Sequence, residues 1–223
     1  RKMSEFNLID EPWISVVTDY KGTTKLVGLK EFFQNAEIYI DFAGDMPTQD
    51  FAVMRFILAI LHTVFSRYDA DGKPYEMVKL NKKMQQVENV DEEYEEEYED
   101  ALMETWENLW KEGKFPKIVI DYLECWHDRF YLFDDEYPFY QVTKDEVDEI
   151  KISKAKPSEI LGKNINRLVS ESGNKIALFS PKDSLKNNKE ILTYEEVTRW
   201  LITFQSYTGL SDKVIFGKEK YKA

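Results

Sequence analysis

The sequence is short of the residues that carry most metal and redox chemistry. Among 223 residues there is one cysteine, Cys125, and two histidines, His62 and His127. A single thiol excludes an internal disulfide and suits a reducing cytoplasm. So few Cys and His also argue against a tetrahedral zinc site built from them, and neither a metal nor a cofactor is expected. Positive charge is scarce too: 30 Lys and Arg stand against 42 Asp and Glu, a net of -12. That balance argues against a free-standing nucleic-acid binder, whose phosphate affinity rests on a basic excess. Long apolar runs are missing. The longest, Phe51 to Phe65, is broken by Arg55 and His62 and is short of the ~20 residues a bilayer requires. The N-terminus reaches Glu5 and Asp10 before any apolar run, so neither a signal peptide nor a membrane partner is expected.

What remains is enough to bury a sizeable core, with 43% hydrophobic and 14% aromatic residues. The charge is divided unevenly. Residues 1–150 hold 34 acids and 16 bases, a net of -18; residues 151–223 hold 8 acids and 14 bases, a net of +6. Any polyanion contact is therefore to be sought in the last third.

Phe6 to Ile9, Trp13 to Thr18 and the segment after Lys21-Gly22-Thr23 read as a small antiparallel meander. A short helix over Lys30 to Asn35 and an extended Ile38 to Phe42 follow. Thr48 is the expected N-cap of a helix to about Tyr68 that is apolar on most faces, hence a core helix, with His62 as a hydrogen-bonded packing residue. Asp69, Asp71 and Gly72 read as a turn, because the calcium-loop spacing fails after Gly72. The acidic run Val90 to Asp100 reads as the solvated side of a helix that buries Tyr98, Leu102, Trp106, Leu109 and Trp110. Gly113 and Pro116 stop that helix. The fold class is α+β: a mixed domain with a small N-terminal meander and several packed helices.

The densest stretch is Cys125 to Val142, which gathers seven aromatics, the only Cys, one of the two His and three consecutive acids. Two readings compete there: a site carrying chemistry, or an aromatic elbow between a helix and an extended segment. Residues two apart on a helix point roughly 200° apart, so Cys125 and His127 do not chelate one metal while the helix lasts. Asp134, Asp135 and Glu136 offer a general acid and base in principle, but read better as an acidic turn before an extended Pro138 to Val142.

Pro157 suits the first turn of a helix expected to run to about Val169. A long polar loop follows, with an apolar island at Ile176, Ala177, Leu178 and Phe179 that suits docking or tucking equally. Thr193 to Glu196 is a capping box. Tyr194, Val197, Trp200, Leu201, Phe204 and Tyr207 form the expected buried stripe, and Gly209 closes the helix. The pattern after it breaks off, which leads to the expectation of a fragment.

Several blocks, in their order and spacing, resemble the N-terminal domain of CasA, the large subunit of the type I-E CRISPR surveillance complex Cascade. They are Phe6 to Ile14, Gly44 to Val53, Phe130 to Gln141 with Phe133-Asp134 and Tyr137-Pro138-Phe139, Ser172-Gly173-Asn174 with Ala177-Leu178-Phe179, and Thr193 to Gly209. The resemblance implies that residues 1–223 form the N-terminal domain of a larger subunit whose C-terminal helical bundle is absent here. It implies a non-catalytic subunit whose partners are the other Cascade subunits, the guide RNA 5′ handle, target duplex DNA and a helicase-nuclease. Carried over by position, Asn174, Lys175, Ile176, Ala177, Leu178, Phe179 and Ser180 would contact the RNA 5′ end and a neighbouring subunit. Gly209, Ser211 and Lys213 would lie near the minor groove of the protospacer-adjacent motif. With sequence reading delegated to the guide RNA, an anionic surface elsewhere is tolerable. The competing readings are an acidic protein-interaction module and a metal-assisted hydrolase built on Cys125, His127 and Asp134 to Glu136.

Overall fold

β-branched and aromatic residues in short runs form the strands, and longer runs with period 3.6 form the helices, as the residue patterns predict. The computed structural model describes residues 4–143, 192–207, 214–216 and 219–221, the last two groups as backbone only. The strands are β1 Ser4–Asn7, β2 Ile14–Val17, β3 Thr24–Val27, β4 Asp41–Phe42, β5 Tyr131–Asp134, β6 Val214–Phe216 and β7 Glu219–Tyr221. The helices are α1 Leu29–Gln34, α2 Pro47–Phe65, α3 Glu95–Glu112, α4 Ile118–Cys125 and α5 Tyr194–Tyr207, with 3-10 turns at Ala36–Ile38, Glu92–Tyr94 and His127–Arg129. Small antiparallel sheets beside packed helices make this an α+β fold.

The chain divides into two units. A central unit comprises Asn7–Ala43 and Met54–Phe130; a terminal unit comprises Arg1–Phe6, Gly44–Val53 and Tyr131–Ala223. In the central unit β2 pairs antiparallel with β3, from Ile14 opposite Val27 to Val17 opposite Thr24, and with β4 on its other edge. β1 does not join this meander. It pairs with β5, so the expected run of consecutive strands begins only at β2. The expected extended segment from Ile38 is a 3-10 turn first and a strand only at Asp41–Phe42.

The core of the central unit is aliphatic and aromatic: Leu8, Trp13, Ile14, Leu29, Phe33, Val64, Phe65, Val119 and Leu123 are buried. Trp13 is held by its indole nitrogen, which donates to the Leu8 carbonyl at 2.9 Å. α3 ends as its sequence requires, on Gly113 at φ 66, whose N–H bonds the Leu109 carbonyl. The turn at Asp69 is confirmed: its Oδ1 accepts from the backbone of Asp71 and Lys73.

α2 starts at Pro47, a favoured first helical residue, so Thr48 lies inside the helix and is not its cap. It is the one helix among the described residues long and apolar enough to cross a membrane by length and composition. It is not apolar all round: Ala52, Val53, Phe56, Ile57, Ile60, Leu61, Val64 and Phe65 are buried, while Phe51, Arg55, Leu58 and His62 form an exposed stripe. His62 therefore sits at the surface against the Trp106 ring, centroids 5.2 Å apart, instead of being buried in the core. Trp110 is also exposed, because it lies one residue, or about 100°, past Leu109 and off the buried line of Thr105 and Leu109.

Candidate functional site

The expected contact loop, Asn174 to Ser180, and the segment Gly209, Ser211 and Lys213 lie outside the described residues. Ser180 precedes Leu192, where the described chain resumes, by twelve residues, and Gly209 follows Tyr207, the last residue of α5, by two. α5 is therefore the described element nearest in sequence to both segments. How α5 is held in the terminal unit is thus the geometry that matters.

Its first turn is built as the sequence predicts. The Thr193 backbone N–H donates to Glu196 Oε2 at 2.8 Å, and its hydroxyl donates to the same oxygen at 3.1 Å. Tyr194 then packs edge-on against Phe6 of β1 at 5.6 Å and Phe133 of β5 at 5.3 Å. Its hydroxyl bonds Glu5 Oε2 at 3.2 Å, which, as the largest cause, holds the phenol above its ordinary pKa.

The middle of the helix departs from expectation. Thr198, Arg199, Trp200, Leu201, Ile202 and Thr203 are all buried, whereas Tyr194 and Tyr207, expected to be buried, are a little under half exposed. Arg199 is only 7% exposed. Its Nε donates to Gln49 Oε1 at 3.2 Å, and its Nη2 lies 3.7 Å from Asp45 Oδ1. Gln49, fully buried, accepts from the Asp45 N–H at 2.9 Å through Oε1 and donates through Nε2 to Asp45 Oδ2 at 3.1 Å. Asp50 Oδ1 accepts from the Gly44 N–H at 2.8 Å. The Gly44 to Asp50 block is therefore a knot of side chains folded back on its own backbone, with Arg199 sealing it. At the far end the Tyr207 hydroxyl donates to the Thr48 carbonyl at 3.2 Å. Sequence reasoning missed Arg199; the available signal was a cation followed without a break by Trp200, Leu201 and Ile202, with Val197 and Thr198 before it.

The Cys125 to Val142 stretch has no matching chemical arrangement. α4 ends at Cys125 and His127 opens a 3-10 turn, so the helical spacing expected to separate the two does not extend to His127, and it is the partners of the imidazole that decide its role. Asn7 Nδ2 donates to the His127 carbonyl at 2.9 Å and lies 3.3 Å from Nδ1, while Nε2 faces Asp10 Oδ2 at 2.7 Å. Asn7 Oδ1 accepts from the Ile9 N–H, which fixes its amide with nitrogen toward the ring. An amide nitrogen only donates, so Nδ1 accepts and the ring hydrogen sits on Nε2. Both ring nitrogens are thereby committed to holding the turn. The acids from the end of β5 form the expected turn: Asp134 Oδ1 accepts from the N–H of Glu136 and Tyr137, and Oδ2 accepts from the Ser4 hydroxyl at 2.6 Å. The segment from Pro138 is not extended. Gln141 N–H returns to the Pro138 carbonyl and Tyr140 takes φ 53, because the Gln141 side chain bonds the carbonyls of Leu132 and Phe139. No group of three metal-binding side chains occurs among the described residues.

The sequence profile of the family described as CRISPR-associated protein Cse1 matches residues 7–218. The chain belongs to the Cse1 family. A curated CasA/Cse1 of Thermus thermophilus is 28% identical over 207 residues, covering 92% of this chain and 32% of its own length. The crystal structure of Thermobifida fusca Cse1 superposes with a TM-score of 0.56 at 26% identity, covering 90% of this chain and 29% of that one. Thermus thermophilus CasA gives a TM-score of 0.53 at 25% identity over 91% and 31%. A chain of a CRISPR RNA-guided surveillance complex shares the fold, with a TM-score of 0.54 at 16% identity, over 91% and 34%. This chain thus spans about a third of the length of the Cse1 relatives it matches.

Proposed function

We propose that this chain is a non-catalytic portion of the large subunit of a type I-E RNA-guided surveillance complex, acting in the cytoplasm with the other subunits of that complex. Residues 174–180 pack against the guide RNA 5′ end and a neighbouring subunit. Residues 209–213 lie near the minor groove of the protospacer-adjacent motif on duplex DNA, and the assembled subunit takes part in recruiting a helicase-nuclease. The observation that carries this reading is the Cse1 match over residues 7–218, which includes both segments. The charge division supports it, since the segments fall in the part of the chain with net +6.

The test is reconstitution of the full-length protein with its partner subunits and guide RNA. Leu178→Ala with Phe179→Ala, and separately Lys175→Glu with Lys182→Glu, are expected to weaken incorporation or target binding about tenfold or more. Unchanged incorporation and unchanged target binding in both variants would overturn the assignment of that loop. The isolated chain, net -12, is expected to bind free duplex weakly at physiological salt. Tight binding in a gel shift would contradict the delegation of recognition to the assembled complex.

A further inference from the structure

α3 exposes an apolar seam. Met103 is 65% exposed and Trp110 is 88% exposed, and with Trp106 between them they stand at i, i+3 and i+7, the spacing of one helical face. Trp106 closes the seam on its inner side, with ring centroids 5.2 Å from His62 and 5.6 Å from Phe65 of α2. Leu58, one turn before His62, is 39% exposed and adds to the same side of the central unit. An indole this open is unusual, because Trp ordinarily loses most of its surface on folding, and Trp and Met together are enriched where proteins dock.

The surroundings of the seam are anionic. α3 carries eight acids and one base, and the base, Lys111, is 3.6 Å from Glu107 on the preceding turn. By helical spacing, Asp100, Glu104 and Glu107 run along the outer edge of the seam, and Glu96 and Glu99 continue it toward the N-terminus. This charge decides what the seam accepts. Nucleic acid and anionic lipid are repelled, and a second copy would bring eight acids against eight. What complements it is an apolar stripe bordered by cations.

We propose that the Met103, Trp106, Trp110 face of α3 docks a basic amphipathic helix of another protein, with apolar side chains on the seam and Lys or Arg paired to the flanking acids. Trp110 is the anchor, and the acids set the choice of partner, as flanking charges do in paired helices. This goes beyond the assembly role above and does not rest on it, since α3 lies far in sequence from the loop assigned there.

The experiment measures fluorescence anisotropy of three labelled 21-residue heptad peptides added to the full chain. One carries Leu at the seam positions and Lys beside them, one replaces Lys by Glu, and one replaces Leu by Ser. The Lys/Leu peptide is expected to bind at least tenfold more tightly than either control. Trp110→Ala is expected to weaken it about tenfold, Trp110→Phe by less, and Glu104→Gln with Glu107→Gln by several-fold with a shallower salt dependence. Because Trp110 is almost fully solvated, an unchanged melting temperature shows that these variants stay folded. Equal binding of the Lys/Leu and Lys/Ser peptides, or no response to Trp110→Ala, overturns the proposal, as does absence of binding to the Lys/Leu peptide.

Discussion

The Tyr75 hydroxyl and Thr105 Oγ1 lie 2.6 Å apart, both side chains buried, and the same phenol oxygen donates to the Phe65 carbonyl at 3.1 Å. One oxygen thus joins the loop after α2, the end of α2 and the middle of α3. Burial, the largest cause, holds the phenol above its ordinary pKa. Tyr75→Phe removes both bonds and leaves Thr105 facing a ring, whereas Thr105→Val leaves the bond to Phe65 intact. The expected losses are about 2 kcal/mol and about 1 kcal/mol respectively, read from urea denaturation. An equal loss would mean that the two bonds are not shared through Tyr75.

Arg199→Met removes a buried cation from the Gln49 and Asp45 cluster while keeping the apolar stem. Asp45 is partly solvated and the ion pair is long at 3.7 Å, so the expected loss is about 2 kcal/mol, below that of a fully buried pair. Because α5 is the described element nearest in sequence to both proposed contact segments, incorporation into the assembled complex is expected to fall as well. A variant of full stability with impaired incorporation would separate the two effects, and a neutral variant would remove Arg199 from both.

Two glycines separate backbone strain from collision. A Cβ on Gly113 would meet nothing within 4 Å, but φ is 66. Gly113→Ala therefore carries only the left-handed penalty, about 1 kcal/mol. At Gly28 a Cβ would stand 2.7 Å from the Ile9 carbonyl oxygen. Gly28→Ala is expected to cost more, about 2–3 kcal/mol, because backbone must move. Thermal melts of the pair check the order.

Asp19 organises the β2–β3 turn, accepting from the N–H groups of Lys21 and Thr23 and from the Thr23 hydroxyl. The hydroxyl bond is the largest cause of its lowered pKa. A depressed folded-state value means that the contribution is present above the unfolded value, near 3.9, and is lost as pH falls through the folded one. Protection of the Thr23 amide from hydrogen exchange is expected to drop in that acid window and to be low at all pH in Asp19→Ala. Protection in Asp19→Ala that still follows pH would locate the titration elsewhere.

Local chemistry was legible in the sequence, and long-range partnership was not. The capping box at Thr193, the left-handed stop at Gly113 and the Asp69 turn each follow from a few adjacent residues. The pairing of β1 with β5 joins segments more than a hundred residues apart, and nothing in Ser4–Asn7 names its partner. Arg199 was hidden because a periodic reading assigns charge to the outer face, while Gln49 and Asp45 make an inner position habitable. Helical spacing groups Trp110 with Leu102, Trp106 and Leu109 as a buried stripe, but that stripe is too wide for one face, and Trp110, about 100° past Leu109, falls outside it. The family blocks were legible because their order and spacing survive at low identity, but the loop given the contact role lies outside the described residues.

The interleaving of the two units has a consequence for biosynthesis. The central unit has its last residue at Phe130, so its strands and helices are all available once that point has emerged from the ribosome. The terminal unit draws on the first six residues and on α5, which begins at Tyr194. β1, made first, must therefore wait for β5 and Tyr194, and the closure of that unit is the late, high-contact-order step of folding. Slow codons or chaperone binding between residues 130 and 194 would act on the terminal unit alone.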